Sequence, residues 1–169
     1  MTRIIAGTAG GTRLEVPDAG TRPTSDRVRE SLFGALESFG AIDDARVLDL
    51  YAGSGALGLE SLSRGARSAD LVERGRAAAA IVRKNSAAVA RAGGVAAARV
   101  HESAVHPFLV RAQGPFDLVF TDLIMPGGIN GIVLATEIQR RDPDMPILMT
   151  TGYNEELVVN GPRARASDV

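Results

Sequence analysis

The sequence predicts an α/β fold with a doubly wound, mostly parallel sheet, and three observations carry this prediction. Short apolar runs alternate with helical patterns from residue 46 to residue 150, as in parallel strands joined by crossover helices. Hydrophobic residues make up 45% of the 169 residues, which is enough for a substantial core. The net charge of −1 and the absence of cysteine exclude a strong overall attraction to polyanions, disulfides and thiolate catalysis.

The elements follow in chain order. Residues 2–16 predict a small β-hairpin around the glycine-rich turn Gly7 to Gly11, and Thr24 or Ser25 caps a helix that reaches Phe39. Beyond residue 45 the pattern predicts five strands, in the spatial order 3-2-1-4-5, and four helices between or beside them, which follow the helix of 24–39. The strands are 46–50, 69–73, 97–101, 116–121 and 146–150, and the helices are that of 24–39 and those near 56–64, 76–91, 104–112 and 130–141.

A glycine loop follows the first of these strands. Asp49 ends the strand, Gly53-Ser54-Gly55 forms the turn, and Glu73 ends the next strand 20 residues after Gly53. Glycines allow close approach of backbone to a ligand, and a carboxylate in the position of Glu73 can accept both hydroxyl protons of a ribose. Asp49 would repel a pyrophosphate and attract a cationic amino-acid group, which favours S-adenosylmethionine. The alternative is a turn selected only for tight packing.

Residues 1–122 resemble the bacterial small-subunit ribosomal RNA (guanine-N2)-methyltransferase family. The resemblance rests on the opening Arg3-Ile4-Ile5-Ala6-Gly7, on the segments 21–30 and 47–60, and on Leu71-Val72-Glu73. It implies a Rossmann-like fold, S-adenosylmethionine as cofactor, and ribosomal RNA or the small ribosomal subunit as partner. The implied cofactor-binding residues are Asp49, Tyr51, Ala52, Gly53, Ser54, Gly55, Glu73 and Glu102, and the implied catalytic residue is Asp122.

The N-terminal hairpin and the arginines near the first helix would face RNA in such an enzyme. The candidate phosphate contacts are Arg22, Arg27 and Arg29, although solvation of the helix alone would also explain them. The family's catalytic motif is Asp-Pro-Pro-Tyr, and this chain has Asp122-Leu123-Ile124-Met125 at that place. We therefore expect cofactor binding to be better preserved than methyl transfer.

Residues 116–153 resemble the second half of a response-regulator receiver domain. The resemblance rests on residues 116–128, on Asn130-Gly131 and on residues 146–153. It implies that Asp122 is a phosphoacceptor, with Thr150 or Thr151 as the switch hydroxyl. Such a domain also uses an acidic pair after its first strand and a lysine after its fifth, whereas Lys84 is the only lysine of this chain.

These two resemblances indicate a fusion within one α/β domain of residues 1–169. The expected parts are a methyltransferase-like 1–115, a receiver-like 116–155 and a flexible tail at 156–169, with fraying from Val159 onward. The fifth strand would then be an open apolar edge that favours self-association. The function hypotheses are a methyltransferase-like protein, a phosphoacceptor signalling module and a chimera without function.

We also expect a cytoplasmic protein without a metal site. The N-terminus lacks the apolar core of a signal peptide, and no apolar run approaches the roughly 20 residues of a membrane span. His101 and His106 are interpreted as strand-end or surface residues, because no carboxylate pair accompanies them at ligand spacing.

Overall fold

The computed structural model describes residues 2–17, 25–122, 131–150 and 158–160. Its short hairpin pairs β1 (Thr2–Arg3) with β2 (Arg13–Leu14). The helices are α1 (Asp26–Ser38), α2 (Ala56–Ser63), α3 (Arg76–Gly93), α4 (Val105–Arg111) and α5 (Gly131–Arg141). The strands of the main sheet are β3 (Arg46–Asp49), β4 (Ser68–Glu73), β5 (Arg99–Glu102), β6 (Leu118–Asp122), β7 (Ile147–Thr150) and β8 (Val158–Asn160).

The main sheet has the order β5-β4-β3-β6-β7-β8, and its first five strands are parallel neighbours. The sequence-predicted order 3-2-1-4-5 is therefore confirmed. β3 and β6 pair directly, with Asp49 opposite Phe120. As a result, the strand that ends at Asp122 lies beside the strand that leads into the glycine loop.

The expectation for the end of the chain is wrong at one place. Residues 158–160, assigned to a frayed tail, form β8, which pairs antiparallel with β7 through Leu148 opposite Val159. β7 is therefore covered along Ile147–Met149 and is not the open edge that the sequence suggested. Val158 and Val159 favour a strand, but two such residues are too few for a recognisable pattern.

Helices cover both faces of the sheet. On one face α1, α2 and α3 pack against strand residues such as Val47, Leu71 and Phe120. On the other face α4 and α5 pack against Leu48, Val72 and other alternate residues. This alternation is what a period of two along each strand requires. None of the helices among the described residues is long and apolar enough to span a membrane.

The N-terminal hairpin is held onto α2 by two buried side chains. Glu60 accepts hydrogen bonds from the backbone N–H groups of Ile5 (2.7 Å) and Ala6 (3.0 Å). The Ser63 hydroxyl donates to the Ala6 carbonyl at 2.6 Å and accepts from another backbone N–H of the turn. Gly7 has a φ of +79°, and a Cβ there would lie 1.9 Å from the Ser63 carbonyl oxygen. Only glycine fits this contact.

Candidate cofactor-binding site

The glycine loop lies at the carboxyl edge of the sheet, between β3 and α2. Gly53 (φ 56°) and Gly55 (φ 81°) both take the left-handed conformation, which glycine adopts without strain. Gly55 is also the N-cap of α2, and no side chain caps that terminus. The loop therefore directs backbone N–H groups of a helix start toward the edge where ligands of doubly wound sheets bind.

Asp49 lies beneath this loop and is almost completely buried. Its Oδ2 accepts a hydrogen bond from the Gly58 N–H at 3.3 Å. Burial raises the pKa of Asp49 to about 7, because the opposing hydrogen bonds from Gly58 and Tyr51 compensate only part of the desolvation, and the negative charge of Glu73 adds to the increase. A cation that approaches Asp49 would favour its ionised form and lower its pKa.

Glu73, at the end of β4, is hydrogen-bonded to the loop itself. Its Oε2 accepts from the Gly53 N–H at 3.2 Å, and its Oε1 accepts from the Gly75 N–H at 2.7 Å. The carboxylate is half-buried and keeps lone pairs for a further ligand. Glu73, which follows Gly53 by 20 residues in the chain, therefore lies against the glycine loop.

Asn85 of α3 completes the support of the loop, and the sequence analysis missed it. The side chain is 2% exposed, and its Nδ2 donates to the carbonyl oxygens of Ser54 and Glu15, each at 2.8 Å. Its Oδ1 accepts from the Glu15 N–H at 2.9 Å. Asn85 stands in a run of four polar residues in this helix, and the sequence gives no sign of its partners 31 and 70 residues away.

Asp122 ends β6, and β3 lies between β6 and β4 in the sheet. It is half-buried, and its Cα is paired in register with that of Thr150 at the end of β7. Burial, followed by the negative charge of Asp122, raises the pKa of the Tyr51 hydroxyl. Tyr51 and Asp122 therefore lie close together at the carboxyl edge, next to the glycine loop.

The remaining predicted cofactor residues divide into loop and edge positions. Ala52 and Ser54 are buried within the loop, and Ala52 donates its N–H to the Val72 carbonyl at 3.0 Å. Glu102 lies opposite Glu73 in the ladder between β4 and β5. Its exposed carboxylate faces the Arg83 guanidinium at 3.4 Å.

The three candidate RNA contacts differ in outcome. Arg22 lies outside the described residues, and Arg27 is exposed on α1. Arg29 is corrected by the structure: its side chain is completely buried, with Nη2 donating to Asp26 at 2.6 Å and Nη1 lying 3.8 Å from Glu60. Arg29 thus adds a second cation beside the buried Glu60 carboxylate, which already accepts a hydrogen bond from Arg64 at 2.8 Å.

A carboxylate–histidine pair is the other feature that sequence reasoning missed. The Asp70 carboxylate lies 2.7 Å from Nε2 of His101, although 31 residues separate them in the chain. Within the described ranges, no group of three or more His, Asp or Glu side chains is arranged to hold a metal ion.

Comparisons with known proteins give two family matches, each covering more than half of the chain. Residues 2–123 match the family model described as conserved hypothetical protein 95, and residues 78–169 match the response regulator receiver domain. The receiver match begins well upstream of Phe116, where the sequence analysis placed that resemblance, so the two matches overlap through α3, β5, α4 and β6.

Individual relatives agree with the first match. The ribosomal RNA small subunit methyltransferase D of Escherichia coli is 49% identical over 121 residues, covering 71% of this chain and 58% of the relative. This chain thus spans little more than half the length of that protein. The structure of a putative methyltransferase, YhhF, from E. coli superposes with a TM-score of 0.71 at 39% identity, covering 95% of this chain and 86% of that one.

A more distant structure shares the fold alone. An RNA methyltransferase from Salinibacter ruber, solved with S-adenosyl-L-homocysteine, has a TM-score of 0.58 at 15% identity, with 76% of each chain covered. Together with the glycine loop and its acidic partners, these matches assign the chain: through residues 2–123 it belongs to the conserved hypothetical protein 95 family, and through residues 78–169 to the response regulator receiver domain family.

Proposed function

We propose that this chain binds S-adenosylmethionine and is a methyltransferase-like protein of the ribosomal RNA guanine-N2 type. The observation that carries the proposal is the Glu73 carboxylate, which is fixed by Gly53 and Gly75 beside the glycine loop. Asp49 lies under the same loop, so two acids of different burial flank one helix N-terminus. This donor and acceptor set suits a ligand with a ribose and a cationic amino-acid group.

The residues present fit the cofactor by their chemistry. Glu73 would accept hydrogen bonds from the ribose hydroxyls, and Asp49 would stabilise the ammonium group through its negative charge. The loop backbone takes its turn through the left-handed conformations of Gly53 and Gly55. When bound, S-adenosylmethionine supplies an electrophilic methyl group on a sulfonium.

Asp122 would act on the substrate side of the site. Its carboxylate would accept a hydrogen bond from the guanine amino group and hold that nitrogen in line with the methyl group, and the amino proton would pass to solvent. Catalysis of this kind depends on positioning more than on acid–base chemistry. Residues 123–125 lack the prolines and the aromatic ring of the family motif, so we expect transfer to be slow.

The relatives' names support the substrate class. The E. coli relative is named for methylation of small-subunit ribosomal RNA, and we infer the same RNA class for this chain, which would place its action in the cytoplasm. Arg27 remains the exposed candidate for a phosphate contact.

Calorimetric titration with S-adenosylmethionine and S-adenosylhomocysteine tests the proposal. We expect saturable binding of both, a loss of at least tenfold in affinity in Glu73→Ala and Asp49→Ala, and no change in Glu137→Ala, which removes an exposed carboxylate on α5. A folded protein that binds neither compound would refute the proposal. Methyl transfer to small-subunit RNA, compared between wild type and Asp122→Asn, then measures turnover.

The receiver-domain match supports a second candidate, in which Asp122 accepts a phosphoryl group. Asp122 and Thr150 end neighbouring strands in register, and the match covers both. Labelling with acetyl phosphate in the presence of Mg²⁺, lost in Asp122→Asn and retained in Asp117→Asn, would support this candidate. Asp49 is the acid at the end of the adjacent strand, and its burial weakens it as a magnesium ligand.

A further inference from the structure

A second polar cluster lies on the sheet face that packs against α4. Side chains on one strand alternate between faces, and Leu48 and Val72 belong to the core on the α4 side. Arg46 and Asp70 lie two positions before Leu48 and Val72 and therefore share this face. So do Arg99 and His101 of the edge strand β5, which pair with Asp70 and Val72.

Charged groups on this face are unexpected, because strands of a parallel sheet with helices on both sides are normally apolar throughout. The length of α4 gives the reason. Its seven residues extend only about 10 Å, so the helix leaves part of the face uncovered. A cavity of about 640 Å³ remains, and six of the residues that line it are Arg46, Asp70, His101, Phe108, Arg111 and Phe116.

The acids of this cavity are already paired. The Asp70 carboxylate is nearly buried and accepts two hydrogen bonds from Arg99, at 2.9 and 2.6 Å. It also lies 2.7 Å from Nε2 of His101. Burial works against ionisation, but the hydrogen bonds from Arg99 and His101 hold the pKa of Asp70 below its usual value. Glu102 faces Arg83 at 3.4 Å.

Two arginines of the lining, Arg111 and Arg46, form no ion pair with an acid among the described residues. Arg111 donates from Nε to the Pro107 carbonyl at 3.2 Å, which leaves its other N–H groups available. The Arg46 guanidinium forms no ion pair with another described residue, although the Arg46 backbone N–H donates to the Asp117 carboxylate at 2.8 Å. The lining thus has more arginines than acids and two fork-shaped donors, a combination that suits a phosphate.

The cavity also has aromatic walls. The ring of Phe108 lies 4.8 Å from the His101 ring at an interplanar angle of 52°, and Phe116 lines the same cavity and packs against the α4-side core. Half-buried rings of this kind favour stacking with a planar ligand. The volume lies within the range of about 300–1,000 Å³ typical of small-molecule sites.

We propose that this cavity is a second binding site, which takes a phosphorylated heteroaromatic of the 5′-mononucleotide class, either free or as one nucleotide of an RNA strand. The guanidinium groups of Arg46 and Arg111 hold the phosphate, and Phe108 packs against the base. Neither Asp49 nor Glu73 lines the cavity, so its main part lies away from the glycine loop, and only Glu102 of the predicted cofactor-binding residues belongs to its lining. The second site does not require the proposed function to be correct.

Calorimetry with AMP and GMP, in the presence of saturating S-adenosylhomocysteine, tests the proposal. We expect one saturable site per chain, with inorganic phosphate and adenosine each binding at least tenfold more weakly. Arg46→Ala and Arg111→Ala should each weaken nucleotide binding about tenfold or more, the scale of one lost charged hydrogen bond. The control Arg91→Ala removes an exposed arginine of α3 and should change nothing.

A short single-stranded oligoribonucleotide distinguishes the two sources of the ligand. Binding at least tenfold tighter than that of AMP indicates an RNA strand, and equal binding indicates a free nucleotide. Nucleotide binding that disappears when S-adenosylhomocysteine is added, or that Arg46→Ala and Arg111→Ala leave unchanged in folded protein, overturns the proposal.

Absence of nucleotide binding also overturns it. The inward-facing charges of the edge strand β5 would then serve only to oppose edge-to-edge association. S-adenosylhomocysteine binding is measured in the same experiment, so the result for the glycine-loop site is independent of the result for the second site. If the chain fails to bind S-adenosylhomocysteine but still binds AMP with the expected arginine dependence, the second site stands alone.

Discussion

The Asn85 side chain donates a hydrogen bond of 2.8 Å to the Ser54 carbonyl, at the centre of the glycine loop. The same amide binds both backbone groups of Glu15, so one buried residue holds the loop and the segment that follows β2. The shape of the loop therefore depends on a residue of α3 that need not touch any ligand.

We expect Asn85→Ala to lower the free energy of unfolding by about 1–3 kcal/mol, because it leaves buried backbone groups without partners. It should also weaken S-adenosylhomocysteine binding, since Ser54 loses its support. Urea denaturation and calorimetric titration measure the two effects. Lys84→Ala, at an exposed neighbouring position of α3, should stay within about 0.5 kcal/mol of wild type. An Asn85→Ala protein with unchanged affinity would contradict the role in supporting the loop.

Asp49→Asn should change the pH dependence of stability. Burial raises the pKa of Asp49 from 3.8 to about 7, so between these pH values the folded state holds a proton that the unfolded state has released. The free energy of unfolding contributed by this group therefore falls as pH rises from about 4 to 7. We expect Asp49→Asn to flatten the profile, as measured by urea denaturation at several pH values. Parallel profiles of variant and wild type would contradict the expectation.

The same carboxyl predicts proton release when the cofactor binds. A cationic amino group near Asp49 favours its ionised form and lowers its pKa, so affinity for S-adenosylmethionine should increase from pH 6 to pH 8. Titrations in two buffers of different ionisation enthalpy measure the released protons directly. Glu73→Ala, which leaves Asp49 in place, should retain the proton release at the ligand concentrations where it binds.

Glu60→Ala should strongly destabilise the packing of the N-terminal hairpin on α2. The carboxylate is fully buried, accepts two backbone N–H groups and the Arg64 Nε at 2.8 Å, and lies 3.8 Å from Arg29. Removing one partner of a buried ion pair costs about 3–5 kcal/mol. Glu37→Ala removes a more exposed carboxylate that also binds Arg64, and it should cost less than about 1 kcal/mol. Thermal and urea unfolding compare the two, and equal losses would show that Glu60 is not the anchor.

Gly7→Ala and Gly11→Ala separate steric contact from backbone strain. Both glycines have positive φ, but a Cβ at Gly7 would meet the Ser63 carbonyl oxygen at 1.9 Å, whereas nothing lies within 4 Å of one at Gly11. We therefore expect Gly7→Ala to cost several times more stability than Gly11→Ala, whose cost is the left-handed conformation alone, about 1–2 kcal/mol. Similar losses in both variants would contradict the close packing of the turn on α2.

Sequence periodicity predicted most of the fold because the parallel strands are buried and bounded by turns. The apolar run at 46–50 and the glycines after it specify β3 and its loop without reference to the rest of the chain. β8 escaped prediction because its three residues acquire strand geometry only by pairing with β7. Short strands of this kind depend on tertiary contact more than on propensity.

The site was predictable where function requires a local pattern, as for Gly53 and Glu73. It was not predictable where distant residues share a buried hydrogen bond, as Asn85 and Glu15 do. Arg29 was wrongly predicted to contact RNA. An arginine near a helix start has the same sequence pattern whether it faces solvent or, as here, the buried Glu60.

The position of β6 between β3 and β7 leads us to expect that the two family regions unfold together. The strand pairs with β3 on one side and β7 on the other, and Phe120 packs in the same core as Phe33 of α1, with ring centroids 6.0 Å apart. Unfolding of the receiver-like region would remove the β6 neighbour of β3 and take Leu118, Phe120 and Leu148 from the core that α1, α2 and α3 cover. Ligand binding at the glycine loop would accordingly stabilise β7 and α5 by mass action, and a phosphoryl group on Asp122 would act on the glycine loop through the same strand.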